Sequence, residues 1–91
     1  MSDDAELAAR IAVTARQIER YCRRNEIAIA ADGAIDEAAA AKVLGYAGPD
    51  ALRRQAADGV NRVPFRLLGN RRMYRTVDLA RAIERSYNGG G

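Results

Sequence analysis

The sequence predicts a mainly helical domain with a small β-hairpin, and three features of the 91-residue chain indicate this fold class. Apolar residues recur at helical spacing over residues 3–25. Residues 36–59, which read DEAAAAKVLGYAGPDALRRQAADG, predict two short helices joined by a tight turn. A Gly-Asn pair then separates two short runs of strand-forming residues, which is a hairpin signal. The length allows one domain over residues 1–88, and residues 88–91 have the composition of a flexible tail.

The segment 3–25 predicts one long helix, with Ser2 or Asp3 as its N-cap. A narrow apolar stripe on this helix is typical of packing against the rest of the domain. Two further roles stay open: self-association through this helix, and contacts between its arginines and an anionic partner. The stripe consists of Leu7, Ile11, Ile18 and Cys22.

Residues 27–30 alternate isoleucine with alanine, which predicts a short strand. Asp32 and Gly33 then form a turn signal. A lone strand needs a partner, and the later hairpin is the obvious one.

The paired helices of residues 36–59 have recognisable ends. Asp36 is the expected N-cap of the first helix, and Gly45 suits the left-handed position that closes it. Gly48 and Pro49 suit the N-cap and first position of the second helix, which we expect to end at Gly59. Leu52 and Ala56 lie four residues apart and are expected to face inward, which leaves Arg53, Arg54 and Ala57 turned partly outward.

The predicted hairpin has strands at 65–68 and 71–75 around Gly69 and Asn70. If the loop has two residues, Phe65, Leu67, Arg72 and Tyr74 share one face, whereas a longer loop would shift this register. Arg66, Leu68, Arg71 and Met73 then share the other face. Thr76 is the expected N-cap of a final helix over 76–86.

The formal net charge of +3 conceals an asymmetry between the two halves of the chain. Residues 1–52 sum to −3, whereas residues 53–75 carry seven arginines against one aspartate and sum to +6. A positive field of this kind favours a polyanionic partner. The alternative is a solvated charged face with no partner. Acidic and basic halves of neighbouring molecules are also able to attract each other in a head-to-tail array on such a partner.

Helix, turn, helix and basic hairpin together predict binding to double-stranded DNA. A helix fits the major groove, where arginine pairs with guanine, so Arg53 is the expected base reader and Arg54 a base or phosphate contact. Arg71 and Arg72 are the expected hairpin-tip cations in a minor groove. Phosphate contacts are expected from Arg66 and Arg75, and from Arg62 in the connector. The complete predicted site is Pro49, Asp50, Arg53, Arg54, Arg62, Arg66, Asn70, Arg71, Arg72 and Arg75.

Catalysis finds no support in the sequence. The chain has no histidine, and its one cysteine, Cys22, lies on an apolar stripe without a base partner. There is no paired-cysteine spacing for a metal and no glycine-rich phosphate loop, so we expect no metal and no cofactor. A single cysteine fits a reducing cytoplasm, and we see neither a signal peptide nor a membrane span.

Residues 35–86 resemble the winged helix-turn-helix of excisionases and MerR-type regulators. The matching stretches are IDEAAAAKVLGY, PDALRRQAADG and LGNRRMYRTVDLARAIE, and the pattern R-R-x-Y-R-x-x-D-L is the most specific of them. The resemblance implies a winged helix-turn-helix domain with an extra N-terminal helix. Its recognition helix would enter the major groove and its wing, residues 64–75, the adjacent minor groove.

Four departures from that family pattern are visible. Gln55 stands where many relatives have Trp or Tyr, and Gly48 replaces the usual Ser or Thr cap. The long helix precedes the motif and no effector-binding region follows it, which favours the excisionase side of the resemblance.

The implied function is that of a non-catalytic recombination directionality factor of a phage or other mobile element. Such a protein bends or coats DNA at attachment sites, with an integrase as partner, in the nucleoid of the cytoplasm. One alternative is a small transcriptional repressor. Another is a protein-interaction module, such as a terminase small subunit or an anti-activator.

Overall fold

The computed structural model describes residues 2–59 and 63–87, and within them the fold is mainly helical with a small three-stranded antiparallel sheet. The strand order is β1-β3-β2. Arg62 and the predicted tail at 88–91 lie outside the described residues. The elements are α1 (Ser2–Arg24), β1 (Ala34–Asp36), α2 (Glu37–Leu44), α3 (Pro49–Ala57), β2 (Arg66–Leu68), β3 (Arg71–Arg75) and α4 (Thr76–Ser86).

Helix α1 packs chiefly along α4. The predicted apolar stripe is confirmed: Ile11, Ile18 and Cys22 are buried in the core, and Leu7 is half-buried beside it. Polar contacts reinforce this packing, because the Thr14 hydroxyl donates to a Glu84 carboxylate oxygen at 2.6 Å. The stripe is therefore occupied by packing within the molecule.

The strand predicted at residues 27–30 is wrong, because this segment has no regular secondary structure. Its two isoleucines are half-buried against the core, so their alternation reflects packing beside the end of α1 and not strand pairing. The third strand instead follows the Asp32-Gly33 turn, as Ala34–Asp36. It does pair with the hairpin, through Ile35 opposite Tyr74.

Helices α2 and α3 begin largely as predicted. The side chain of Asp36 accepts a hydrogen bond from the backbone N–H of Ala39 at 2.9 Å, which confirms the cap. Gly45 has a φ of 89°, a conformation that a β-carbon disfavours, so the left-handed closure of α2 is also confirmed. Pro49 is the first residue of α3, with Gly48 as its N-cap. α3 ends at Ala57, two residues before the predicted stop.

The hairpin has a two-residue loop, one of the two alternatives that the sequence left open, since Leu68 pairs with Arg71 and Leu67 with Arg72. The predicted distribution of side chains between its faces follows from this register. Phe65 lies just before β2 and not within it, because the ladder begins at Arg66.

Thr76 is not the N-cap of the last helix, because Arg75 occupies that position. Thr76 is the first helical residue and is buried. Its N–H donates to the Gly33 carbonyl at 2.9 Å and its hydroxyl to a Glu19 oxygen at 3.4 Å. The side chain therefore links α4 to α1 and is not folded back over its own helix.

Candidate nucleic-acid interface

The buried carboxylate of Glu37 joins α3 to the hairpin. Glu37 is the first residue of α2, and its side chain is 11% exposed. One oxygen accepts from Nε of Arg53 on α3 at 3.2 Å, and the other lies 3.5 Å from Nη1 of Arg72 on β3. The Tyr74 hydroxyl also donates to Glu37, at 3.4 Å. Two arginines from separate elements are thus held on one acidic side chain.

Sequence reasoning missed Glu37. An acidic residue directly after an N-cap is common, because it interacts favourably with the positive end of the helix. That ordinary explanation gave no reason to look further. The sequence offered one signal for this role: an acid in the first turn of α2, together with two arginines that were predicted to lie on the surface.

The Arg53 side chain is hydrogen-bonded to two carboxylates. Besides Glu37, its Nη1 donates to an oxygen of Asp50 at 2.9 Å, while the side chain stays 54% exposed. These two bonds restrict the guanidinium to one orientation without burying it. A restrained fork loses less conformational entropy when it pairs with a base edge. Asp50, which was predicted as part of the site, therefore supports Arg53.

Arg54 and Arg71 are exposed, and neither guanidinium group has a hydrogen bond or ion pair with any residue in the described part of the chain. Arg54 follows Arg53 on α3, and Arg71 follows the hairpin loop, with exposed Asn70 beside it. Both guanidinium groups are available to an anion, because no carboxylate of the described residues neutralises them.

Arg72 differs from the prediction that it is a tip cation. The two-residue loop puts it on the same face as buried Tyr74, so its side chain is only 25% exposed. Its guanidinium lies 5.2 Å from the centre of the Phe65 ring, and its buried Nε has no hydrogen-bond partner among the described residues. Arg72 therefore braces the hairpin, and Arg71 is the tip cation.

Arg66 and Arg75 are also partnered. Arg66 donates twice to Asp32, at 2.7 and 3.3 Å, and Nε of Arg75 donates to Asp78 at 2.8 Å. The hydrogen bonds from Arg66 lower the pKa of the Asp32 carboxyl. Asp78 is buried and also accepts from Arg81 at 2.8 Å. Acids thus neutralise part of the basic segment, Asp32 from a distant position and Asp78 from the next helix, so its field is weaker than a net +6 implies.

The inner side of α3 packs on the core through Leu52, which is fully buried. Gln55, at the position where relatives of the resembled family have a ring, accepts a hydrogen bond from the Tyr46 hydroxyl. A polar pair therefore closes the turn between α2 and α3 in place of an aromatic contact. Pro49 is half-buried at the start of the helix.

Other chemistry is sparse among the described residues. Cys22 is fully buried, and desolvation followed by the nearby charge of Glu19 raises the pKa of its thiol. Within residues 2–59 and 63–87, no group of three or more His, Cys, Asp or Glu is placed to hold a metal ion. None of the described helices is long and apolar enough to cross a bilayer.

Comparison with known proteins gave no match to the chain, whether against family models, curated proteins or solved structures.

Proposed function

We propose that this chain is a non-catalytic double-stranded DNA-binding protein of the winged helix-turn-helix class. The observation that carries the proposal is the Glu37 carboxylate, which touches both Arg53 of α3 and Arg72 of β3. A single side chain therefore links the hairpin to the helix that presents Arg53 and Arg54. A duplex that lies against α3 meets the hairpin as its next contact.

In this proposal α3 enters the major groove. Arg53, restrained by Asp50 and Glu37, pairs with guanine O6 and N7, and unpartnered Arg54 contacts a base edge or a phosphate. Arg71 at the hairpin loop contacts the sugar-phosphate backbone at the adjacent minor groove. Arg66 and Arg75, each half exposed beside a carboxylate, make weaker phosphate contacts.

The proposed biological role is that of an excisionase-like architectural protein that fills adjacent sites next to an integrase. The helix α1 placed before the motif supports this choice. Footprinting separates the roles: several abutting, cooperatively filled sites are expected, whereas a single palindromic operator would indicate a repressor.

The experiment that tests DNA binding compares Arg53→Ala with Arg20→Ala, an exposed arginine of α1, by fluorescence anisotropy. The duplexes are one selected from a random pool and a scrambled version of it. Arg53→Ala is expected to cost about 1–3 kcal/mol on the selected duplex and to relax its sequence preference. Arg20→Ala should change neither.

Two results would contradict the proposal at different levels. Equal loss of affinity on both duplexes would make Arg53 a phosphate contact and not a base reader. Wild-type binding that is no tighter to duplex DNA than to a neutral polymer at moderate salt would reject DNA binding and favour a protein-interaction module.

A further inference from the structure

We propose that Leu67 and Leu68 form an apolar wedge that inserts between base pairs from the minor groove and kinks the duplex. This inference rests on the proposed DNA binding and adds a second mode of contact to it. The two leucines lie at the end of the hairpin, and the function described above uses neither of them.

The first observation is exposure. Leu67 is 64% exposed and Leu68 52%, and Phe65 just before them is 45% exposed. All three residues of β2 are exposed, and β2 is an edge strand. Large apolar side chains on an exposed edge favour aggregation, so a sequence that keeps them there usually has a partner for them.

The second observation is orientation. The register pairs Leu67 with Arg72 and Leu68 with Arg71, so the two leucines lie on opposite faces of the hairpin directly before the loop. A flat protein partner would contact one face and leave the other leucine in water. A pair of opposed apolar groups at a narrow tip instead matches a slot with apolar surfaces on both sides, such as two unstacked base pairs.

The third observation is charge. Arg71, opposite Leu68, is exposed and has no partner among the described residues. An apolar wedge beside a free cation complements a minor groove, whose floor is lined by stacked bases and whose rims are phosphates. An apolar protein pocket would offer nothing to the guanidinium.

The fourth observation is bracing. An ion pair joins each strand of the hairpin to the rest of the domain. Arg66 of β2 pairs with Asp32, and Arg72 of β3 pairs with Glu37. The loop itself is tight, with Gly69 at a φ of 62°. A wedge has to use the free energy of binding to separate two stacked base pairs, which is unfavourable in itself. A hairpin held at both strands is suited to this, because it resists bending away.

The test uses doubly end-labelled duplexes of about 30 base pairs with a central TA or CA step, the steps that kink most easily. A matched set carries 2-aminopurine beside that step. Wild-type protein is expected to shorten the end-to-end distance, with a bend of roughly 20–90°, and to brighten 2-aminopurine. Both signals report the DNA and not the protein.

The variant is Leu67→Thr with Leu68→Thr, which keeps strand preference at two exposed positions and removes the apolar surface. It should lose the bend and the 2-aminopurine signal while its affinity changes less than about tenfold, because lost apolar burial and avoided unstacking offset each other. Leu67→Met with Leu68→Met should retain both signals. Val13→Thr, at a 45% exposed position of α1, is the matched control and should behave as wild type.

Tight binding by wild type with neither bend nor 2-aminopurine signal would overturn the wedge and leave the proposed function intact. Failure of wild type to bind any duplex would overturn both. If the double Thr variant bends DNA normally but alters the sedimentation of the free protein, these leucines contact a second protein and the wedge is wrong. Circular dichroism establishes that each variant is folded before it is compared.

Discussion

The two sides of this small domain differ in how their apolar and charged side chains are arranged. Where α1 meets α4, apolar side chains are buried and charges lie around them, as in an ordinary core. On the side that carries α3 and the hairpin, Leu67 and Leu68 are exposed, and Arg53 and Arg72 are held by the Glu37 carboxylate. The first arrangement stabilises the fold, and the second holds cations and apolar groups in set positions while leaving them accessible. Stability and recognition are therefore expected to respond to different substitutions.

The largest expected effect tests this separation with two leucines. Leu79→Ala on α4 removes a fully buried side chain and should lower the free energy of unfolding by about 2–5 kcal/mol. Leu67→Ala on the hairpin should change it by less than about 0.5 kcal/mol. Urea titrations followed by circular dichroism measure both. Comparable losses at the two positions would show that the hairpin belongs to the core.

The next effect concerns Glu37, which we expect to position Arg53 for base recognition. Glu37→Gln keeps the size of the side chain and weakens its hold on both arginines. The ratio of specific to non-specific affinity should fall roughly tenfold, or about 1.4 kcal/mol. Non-specific affinity should hold or rise, because one negative charge is lost near the phosphates.

Anisotropy on selected and scrambled duplexes gives both affinities for Glu37→Gln. Glu6→Gln, at an exposed acid on α1, controls for the change in net charge. A fall in both affinities together with a lower unfolding midpoint would assign Glu37 a purely structural role.

A smaller effect separates the two arginines of the hairpin. Arg71→Ala should reduce the slope of log affinity against log salt by about 0.9, the value for one phosphate contact. Arg72→Ala should reduce it by less, because that side chain is 25% exposed and already bound to Glu37. Affinity measured at several salt concentrations gives the slopes. Equal reductions would mean that Arg72 leaves Glu37 to contact DNA.

The smallest effect is a loss of folding stability at alkaline pH, and it involves Tyr74. Burial and then the charge of Glu37 raise the pKa of its hydroxyl from 10.0 to about 12. Folding therefore favours the protonated form, and its contribution is complete below pH 10 and lost as the pH rises towards 12. The thiol of Cys22, whose pKa is also raised, acts with the same sign from about pH 9.

Urea midpoints at pH 9, 10 and 11 measure this alkaline loss. Tyr74→Phe should reduce it, since no ionisable group then remains at that position. Tyr21→Phe, at an exposed position of α1, should keep the wild-type dependence. An unchanged dependence in Tyr74→Phe would place its origin elsewhere.

Local signals in the sequence predicted local features of the fold. The cap at Asp36, the left-handed Gly45 and the hairpin turn at Gly69 each depend on a few neighbouring residues, and each was confirmed. The strand at residues 27–30 was wrong, because alternation alone does not distinguish strand pairing from packing beside a helix end. Tertiary contacts, and not the local pattern, decide which segment pairs with β3 as β1.

The candidate site was less predictable than the fold. The positive segment was visible from counting charges, but the partners of its arginines come from residues 32, 37, 50 and 78. Of these, only Asp50 and Asp78 lie near their arginines in the chain. The turn of Arg72 towards Glu37 follows from a register that became certain only with the structure.

The packing of α1 against α4 also has a consequence for the order in which the molecule folds. The Thr14–Glu84 bond joins residues 70 positions apart, and β1 finds its partner strand only at residues 73–75. Contacts of such long range slow folding, since the loop between them has to close first. During synthesis α1 emerges long before α4, so its apolar stripe waits without a partner. We expect the nascent chain to gain its tertiary structure late and in one step.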